Sequence, residues 1–125
     1  MIATIMVAAM PKPLGRWLVV ALYCGLIFYL SSLPSEELPL PPLFWWSDKV
    51  LHALEYAVLS FLLGRALGIE GRKGVLIAVV IASLYGLTDE FHQSFVPGRE
   101  ATAGDWLADT VGAALVHWRG AWRRL

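Results

Sequence analysis

The sequence predicts an all-α membrane protein, a four-transmembrane-helix bundle with N and C termini cytoplasmic. Three observations point there. Hydrophobic residues make up 58% of the 125-residue chain and charged residues only 16%, with a mean hydropathy of +0.61, a balance suited to lipid rather than water. The apolar residues fall into four runs separated by prolines, glycines and polar residues. The charges, ten basic and ten acidic, cancel in sum but sort by helix end, and that partition sets an orientation.

The first run, 14–33, follows Lys12 and Arg16 and is long enough to cross a hydrocarbon core of ~30 Å. It is long for the apolar part of a signal peptide and lacks a small-x-small cleavage site, so a retained helix is expected. The apolar residues before Met10 are too few to span, and Met10 is an alternative start. Pro34, Pro39, Pro41 and Pro42 exclude a regular helix after the first run, and Trp45 and Trp46 close that loop at headgroup level. A second helix is expected over 48–67. Gly68, Gly71 and Gly74 with Arg72 and Lys73 then form a short basic connection. The third helix is expected over 75–93, ended by Pro97 and Gly98, and the fourth over 104–118, followed by Arg119, Arg123 and Arg124. No internal repeat interrupts this order, so 1–125 reads as a single domain. The lone cysteine, Cys24, lies inside the first run and has no internal disulfide partner.

Lys12, Arg16, Arg65, Arg72, Lys73, Arg119, Arg123 and Arg124 share one set of helix ends, with Glu70 the only acid among them. The positive-inside rule makes that side cytoplasmic. Glu36, Glu37, Asp48, Glu55, Asp89, Glu90, Glu100, Asp105 and Asp109 lie toward the opposite ends, with only Lys49 and Arg99 as bases. All six tryptophans, Trp17, Trp45, Trp46, Trp106, Trp118 and Trp122, fall near helix ends, where an amphipathic indole prefers the interface.

Chemistry concentrates at the acidic ends. Asp48, His52, Glu55 and Tyr56 follow i, i+4, i+7, i+8 spacing and share one stripe of the second helix. Tyr85, Asp89, His92 and Gln93 form a stripe on the third, with Glu90 beside it, and Asp105, Asp109 and Gly112 form one on the fourth. His52 lies ~6 Å and Glu55 ~10 Å below the outer end of their helix. A carboxylate facing lipid at such depth costs several kcal/mol, so the three stripes are expected to face one another around a polar pocket open to the outside. A histidine or a protonated carboxyl there suits general acid or base work, and Arg99 and Lys49 suit an anionic group. The structural reading of the same residues is a network of ion pairs and hydrogen bonds that fixes helix packing. His52, Glu55, Asp89, Glu90 and His92 are also divalent-metal ligand types, but without a compact ligand signature such as His-Glu-x-x-His no metal site and no cofactor is assigned. His117 reads as an interfacial residue, Tyr85 and Gly86 as packing residues, and Gly64 with Gly68 as a small-x-x-x-small pair.

Asp48-Lys49-x-x-His52 with Tyr56, then Asp89-Glu90-x-x-Gln93 with Phe95, Pro97, Gly98 and Arg99, then Asp105 and Gly112, resembles the VanZ-like family of bacterial membrane proteins, over about 31–112. The family is named for a protein linked to low-level teicoplanin resistance, and its biochemical mechanism is not established. The resemblance implies a multi-pass protein of the bacterial cytoplasmic membrane. Asp109 departs from it, standing where the family usually has asparagine.

The expectation is a site at the extracytoplasmic leaflet that binds or modifies a cell-envelope lipid headgroup or lipid-linked glycan precursor. Its candidate catalytic residues are His52, Glu90 and Asp89, and its candidate substrate-binding residues Lys49, Arg99, Gln93, Asp105 and Tyr56. Whether it is an enzyme stays open. The alternative is a non-catalytic scaffold or binding module that depends on Trp45 and Trp46. A transporter ranks third because the inner half of every helix is apolar. The partner is a membrane lipid or lipid-linked precursor, not nucleic acid, because the basic residues flank the membrane without building a groove. No oligomeric state is assigned.

Overall fold

The computed structural model describes residues 12–34, 47–99 and 101–118. The segment before Met10, the proline-rich loop with Glu36, Glu37, Trp45 and Trp46, Glu100, and the tail with Arg119, Trp122, Arg123 and Arg124 lie outside the described residues, as does the side chain of Asp48. Four helices and, among the described residues, no strand make up the fold: α1 Lys12–Ser32, α2 Ser47–Leu67, α3 Gly71–Gln93 and α4 Ala103–Leu115. Three of them, over Pro13–Ser32, Lys49–Leu67 and Gly71–Gln93, are long and apolar enough to cross a membrane. The 13 residues of α4 rise only about 20 Å.

Two boundaries differ from expectation. Helix α3 begins at Gly71 rather than near Val75, because the glycines lie where the chain doubles back instead of forming a loose linker. Gly68 and Gly71 take φ of 65° and 79°, the left-handed region that a side chain resists. A Cβ on Gly74 would lie 1.9 Å from the Ile69 carbonyl oxygen, so a full helical turn stacks against the bend. Helix α4 ends at Leu115, and Val116 with His117 closes it in a turn.

Side chains are distributed as lipid requires. Leu22, Leu76, Phe91 and Leu115 point outward, whereas the interior of α3 is a ladder of small residues: Gly74, Ala78, Ala82 and Gly86, then Asp89 and Gln93. Small residues let helix backbones approach where burying apolar area gains nothing over lipid. Tyr56, Leu59 and Leu63 of α2 and Ile27 of α1 fill the space opposite. Helix α2 packs on all three others, most extensively on α4, while α1 packs on α2 and α3.

The register of α2 on α4 can be read from their contacts. Lys49 meets Asp105, His52 meets Asp109 and Ser60 meets His117. The near-constant offset along both chains means that the two helices run parallel, with α3 antiparallel to both. Their close approach is possible at Gly112, where a Cβ would fall 2.0 Å from the Ala53 carbonyl oxygen. The N-terminal ends of α2 and α4 and the C-terminal end of α3 therefore meet at one end of the bundle.

Candidate functional site

At that end the three stripes face one another. The His52 Nδ1–H donates to Asp109 Oδ1 at 2.8 Å, and both side chains are buried, Asp109 at 0% exposure. One turn deeper on α2, the Tyr56 hydroxyl donates to Asp89 Oδ2 at 2.9 Å. One turn nearer the surface, the Lys49 ammonium pairs with Asp105 and reaches Thr102 Oγ1 at 3.4 Å. Thr102 is also the N-cap of α4, its hydroxyl accepting from the Asp105 N–H at 3.2 Å. Asp105 thus joins an ion pair to a favourable position in the first turn of a helix.

Glu55 lies near Asp89, His52, Asp109 and Arg99, and Glu90 near Asp105, His52 and Asp109, its carboxylate accepting from the Thr102 backbone N–H. Both Glu90 carboxylate oxygens are sealed from solvent with no side-chain donor, and Asp109 Oδ2 has none either. Asp109 Oδ2 abuts Gly86, where a Cβ would lie 3.2 Å from it. Gln93 is buried at 3% exposure beside this group. Acids outnumber bases here, and Asp89, Asp105 and Asp109 are each matched to a side-chain donor.

Several residues are used differently from the stripe pattern. The Arg99 guanidinium turns to α1, where Nη1 donates to the carbonyls of Leu30 at 3.1 Å and Leu33 at 3.0 Å, the first of which also accepts from the Leu33 N–H, and so holds the C-terminal end of that helix. His92 also faces α1, bonding Ser32 Oγ at 2.8 Å and stacking on Phe28. His117, expected at the interface, is buried and bonds Ser60 Oγ at 2.8 Å. Ser60 continues the His52–Tyr56 stripe by another turn, and His117 lies two turns beyond Asp109. That continuation was the available sequence signal. Tyr85 does pack, with its hydroxyl donating to the Cys24 carbonyl at 2.7 Å. Among the described residues no group of three or more His, Cys, Asp or Glu side chains is arranged to hold a metal ion.

A family model described as VanZ/LLP1 matches residues 16–121. The chain belongs to the VanZ/LLP1 family. No curated protein and no solved structure matches it. The family match spans all the paired site residues, and with three membrane-length apolar helices it makes this chain a membrane-embedded VanZ/LLP1 protein. Asp109, the residue at which the chain departs from the expected pattern, is the partner of His52.

Proposed function

We propose that this VanZ/LLP1 protein works at the extracytoplasmic leaflet of the bacterial cytoplasmic membrane, where it binds or modifies a cell-envelope lipid headgroup or lipid-linked glycan precursor and thereby supports tolerance to teicoplanin-type glycopeptides. In this reading the single domain crosses the bilayer four times with both termini cytoplasmic, as the distribution of bases implies. Local thinning of the bilayer around α4 completes the last crossing.

One observation carries the proposal. Glu90 keeps a carboxylate that no side chain answers inside a bundle end where His52, Tyr56 and Lys49 are all paired to other acids. An acid shut away from water without a basic partner is costly, and such cost is tolerated at sites that act on something else. Glu90 or His52 moves a proton, Asp89, Gln93 and Asp105 orient the groups, Tyr56 fixes Asp89, and Lys49 and Arg99 hold the anionic part of the headgroup by sharing their present partners.

The test is teicoplanin tolerance of cells carrying His52→Ala, Glu90→Gln or Arg99→Ala at equal membrane levels of protein. Loss of tolerance is expected in each, and unchanged tolerance in all three refutes the proposal. The pairing of Lys49, His52 and Tyr56 with acids also favours a second reading, a non-catalytic scaffold or binding module whose charges are structural. That reading expects tolerance to follow Trp45 and Trp46 rather than Glu90.

A further inference from the structure

Among the described residues at the acidic end of the bundle, Arg99 is a cation without a carboxylate partner. Lys49 pairs with Asp105 and His52 with Asp109, whereas the Arg99 guanidinium bonds only to the Leu30 and Leu33 carbonyls. Glu55 lies near it without forming an ion pair. Carbonyl oxygens carry partial charge only, so the guanidinium is held in place without being neutralised. What it lacks is an anion.

The geometry of the side chain says how an anion would be met. Both carbonyl bonds, at 3.1 and 3.0 Å, leave from Nη1. A guanidinium has five N–H donors in a planar fork, so Nε–H and the two on Nη2 stay unspent. Nε–H and one Nη2–H point the same way, side by side, and such an edge meets two oxygens of one oxyanion. The edge is also preorganised. Gly98 takes φ of 75° and the Arg99 N–H closes the turn on the Val96 carbonyl at 3.2 Å, so the residue is pinned at its backbone and again at Nη1. The half-buried position reduces screening of the charge without shutting the edge away.

Two features favour a phosphate carried by a lipid. Arg99 follows the C-terminal end of the membrane-length helix α3, the depth at which lipid headgroups lie. The surface of the neighbouring helix ends is aromatic and exposed: Phe91 and Phe95 meet edge to face at 5.1 Å and are 70% and 73% accessible, while Phe28, stacked on His92, is 56% accessible. We propose that the Nε–Nη2 edge of Arg99 is the seat of a lipid phosphate, with the acyl part of that lipid lying over Phe91 and Phe95. This rests on the headgroup reading above and names the anion. A free phosphate presents the same oxygens to the fork but nothing to the rings.

The test is calorimetric titration of the full chain in maltoside micelles with three probes: dihexanoylphosphatidic acid, dihexanoylglycerol, which lacks the phosphate, and inorganic phosphate. The expected result is tighter binding of the phosphatidic acid than of either other probe, by roughly tenfold or more. Arg99→Ala should abolish the preference over dihexanoylglycerol. Arg99→Lys, the second variant should the first fail to fold, keeps the charge but loses the fork and should weaken the preference by roughly fivefold. Lys73→Ala, in the first turn of α3 at the opposite end of the bundle, removes the same charge and should leave the preference intact. Inorganic phosphate binding as tightly as the phosphatidic acid overturns the lipid source. Equal binding of the two lipids overturns the seat itself, as does a preference that survives in folded Arg99→Ala, is undiminished in Arg99→Lys, or falls equally in Lys73→Ala. The two proposals fail separately: lost tolerance in Arg99→Ala cells without a phosphate preference removes only the seat, while a phosphate preference with unchanged tolerance in all three variants named above removes only the envelope role.

Discussion

Gly112→Ala is the most demanding perturbation of this fold, because the new methyl meets main chain rather than a movable side chain. Its Cβ would lie 2.0 Å from the Ala53 carbonyl oxygen and 2.6 Å from the Ala53 carbonyl carbon. Real Cβ contacts stay beyond 3.0 Å, so α4 must back away from α2 by about 1 Å or rotate. Asp109 is one turn from Gly112 and His52 adjoins Ala53, so the same displacement stretches the 2.8 Å His52–Asp109 bond past hydrogen-bonding range. Overpacking costs about 1–3 kcal/mol and the lost bond to a buried charge about 1.5–3 kcal/mol, which together predict a loss of roughly 3–5 kcal/mol. Unfolding of the purified protein in mixed micelles with rising dodecyl sulfate measures it. Gly25→Ala on α1, where a Cβ meets nothing within 4 Å, is the internal control and should be neutral or slightly stabilising. A Gly112→Ala protein as stable as the parent would refute both the close α2–α4 crossing and its parallel register.

The same assay should give about 2 kcal/mol of destabilisation for Tyr56→Phe, which leaves shape intact but removes the donor to Asp89 from a fully buried position. Glu90→Gln is expected to melt at the parent temperature or above, because it removes a charge shut away from water that no side chain answers while the amide oxygen still accepts from the Thr102 backbone; a clear drop would assign Glu90 to the structural network. Arg99→Ala removes the guanidinium that holds the Leu30 and Leu33 carbonyls at the end of α1 and should speed amide hydrogen exchange over residues 30–34 by about tenfold or more, leaving the middle of α2 unaffected.

Helix positions were legible because apolar runs and charge partition are one-dimensional signals: α1 and α2 lie within two residues of where the sequence puts them. Glycine was the misleading residue. Near Gly71 and Gly74 it suggested a linker, whereas Gly74 is a packing position whose purpose appears only when Ile69 is placed beside it. For the site, i, i+4 spacing was enough to bring His52, Tyr56, Asp89, Asp105 and Asp109 together. It was not enough to say which acid each donor takes, since that depends on the parallel offset of α2 and α4. His92 shows a further limit. A helix with neighbours on two sides has two polar faces only a few tens of degrees apart, and position 92 turns just far enough from Asp89 to belong to α1. Arg99, in a turn after Gly98 at φ 75°, has no periodicity from which its direction follows.

The attachment of α1 has an evolutionary corollary. Tyr85 grips the Cys24 carbonyl, and Arg99 the carbonyls of Leu30 and Leu33. These grips are made to atoms that every amino acid possesses. Apart from the inward-facing Val20 and Ile27, Tyr23 with its hydroxyl on the Glu55 carbonyl, Phe28 stacked on His92 and the polar pair at Ser31 and Ser32, the helix can drift in sequence without loosening its hold. Its outward face is free to track the thickness and fluidity of the surrounding bilayer, one apolar residue for another, while the acidic end of the bundle keeps its geometry.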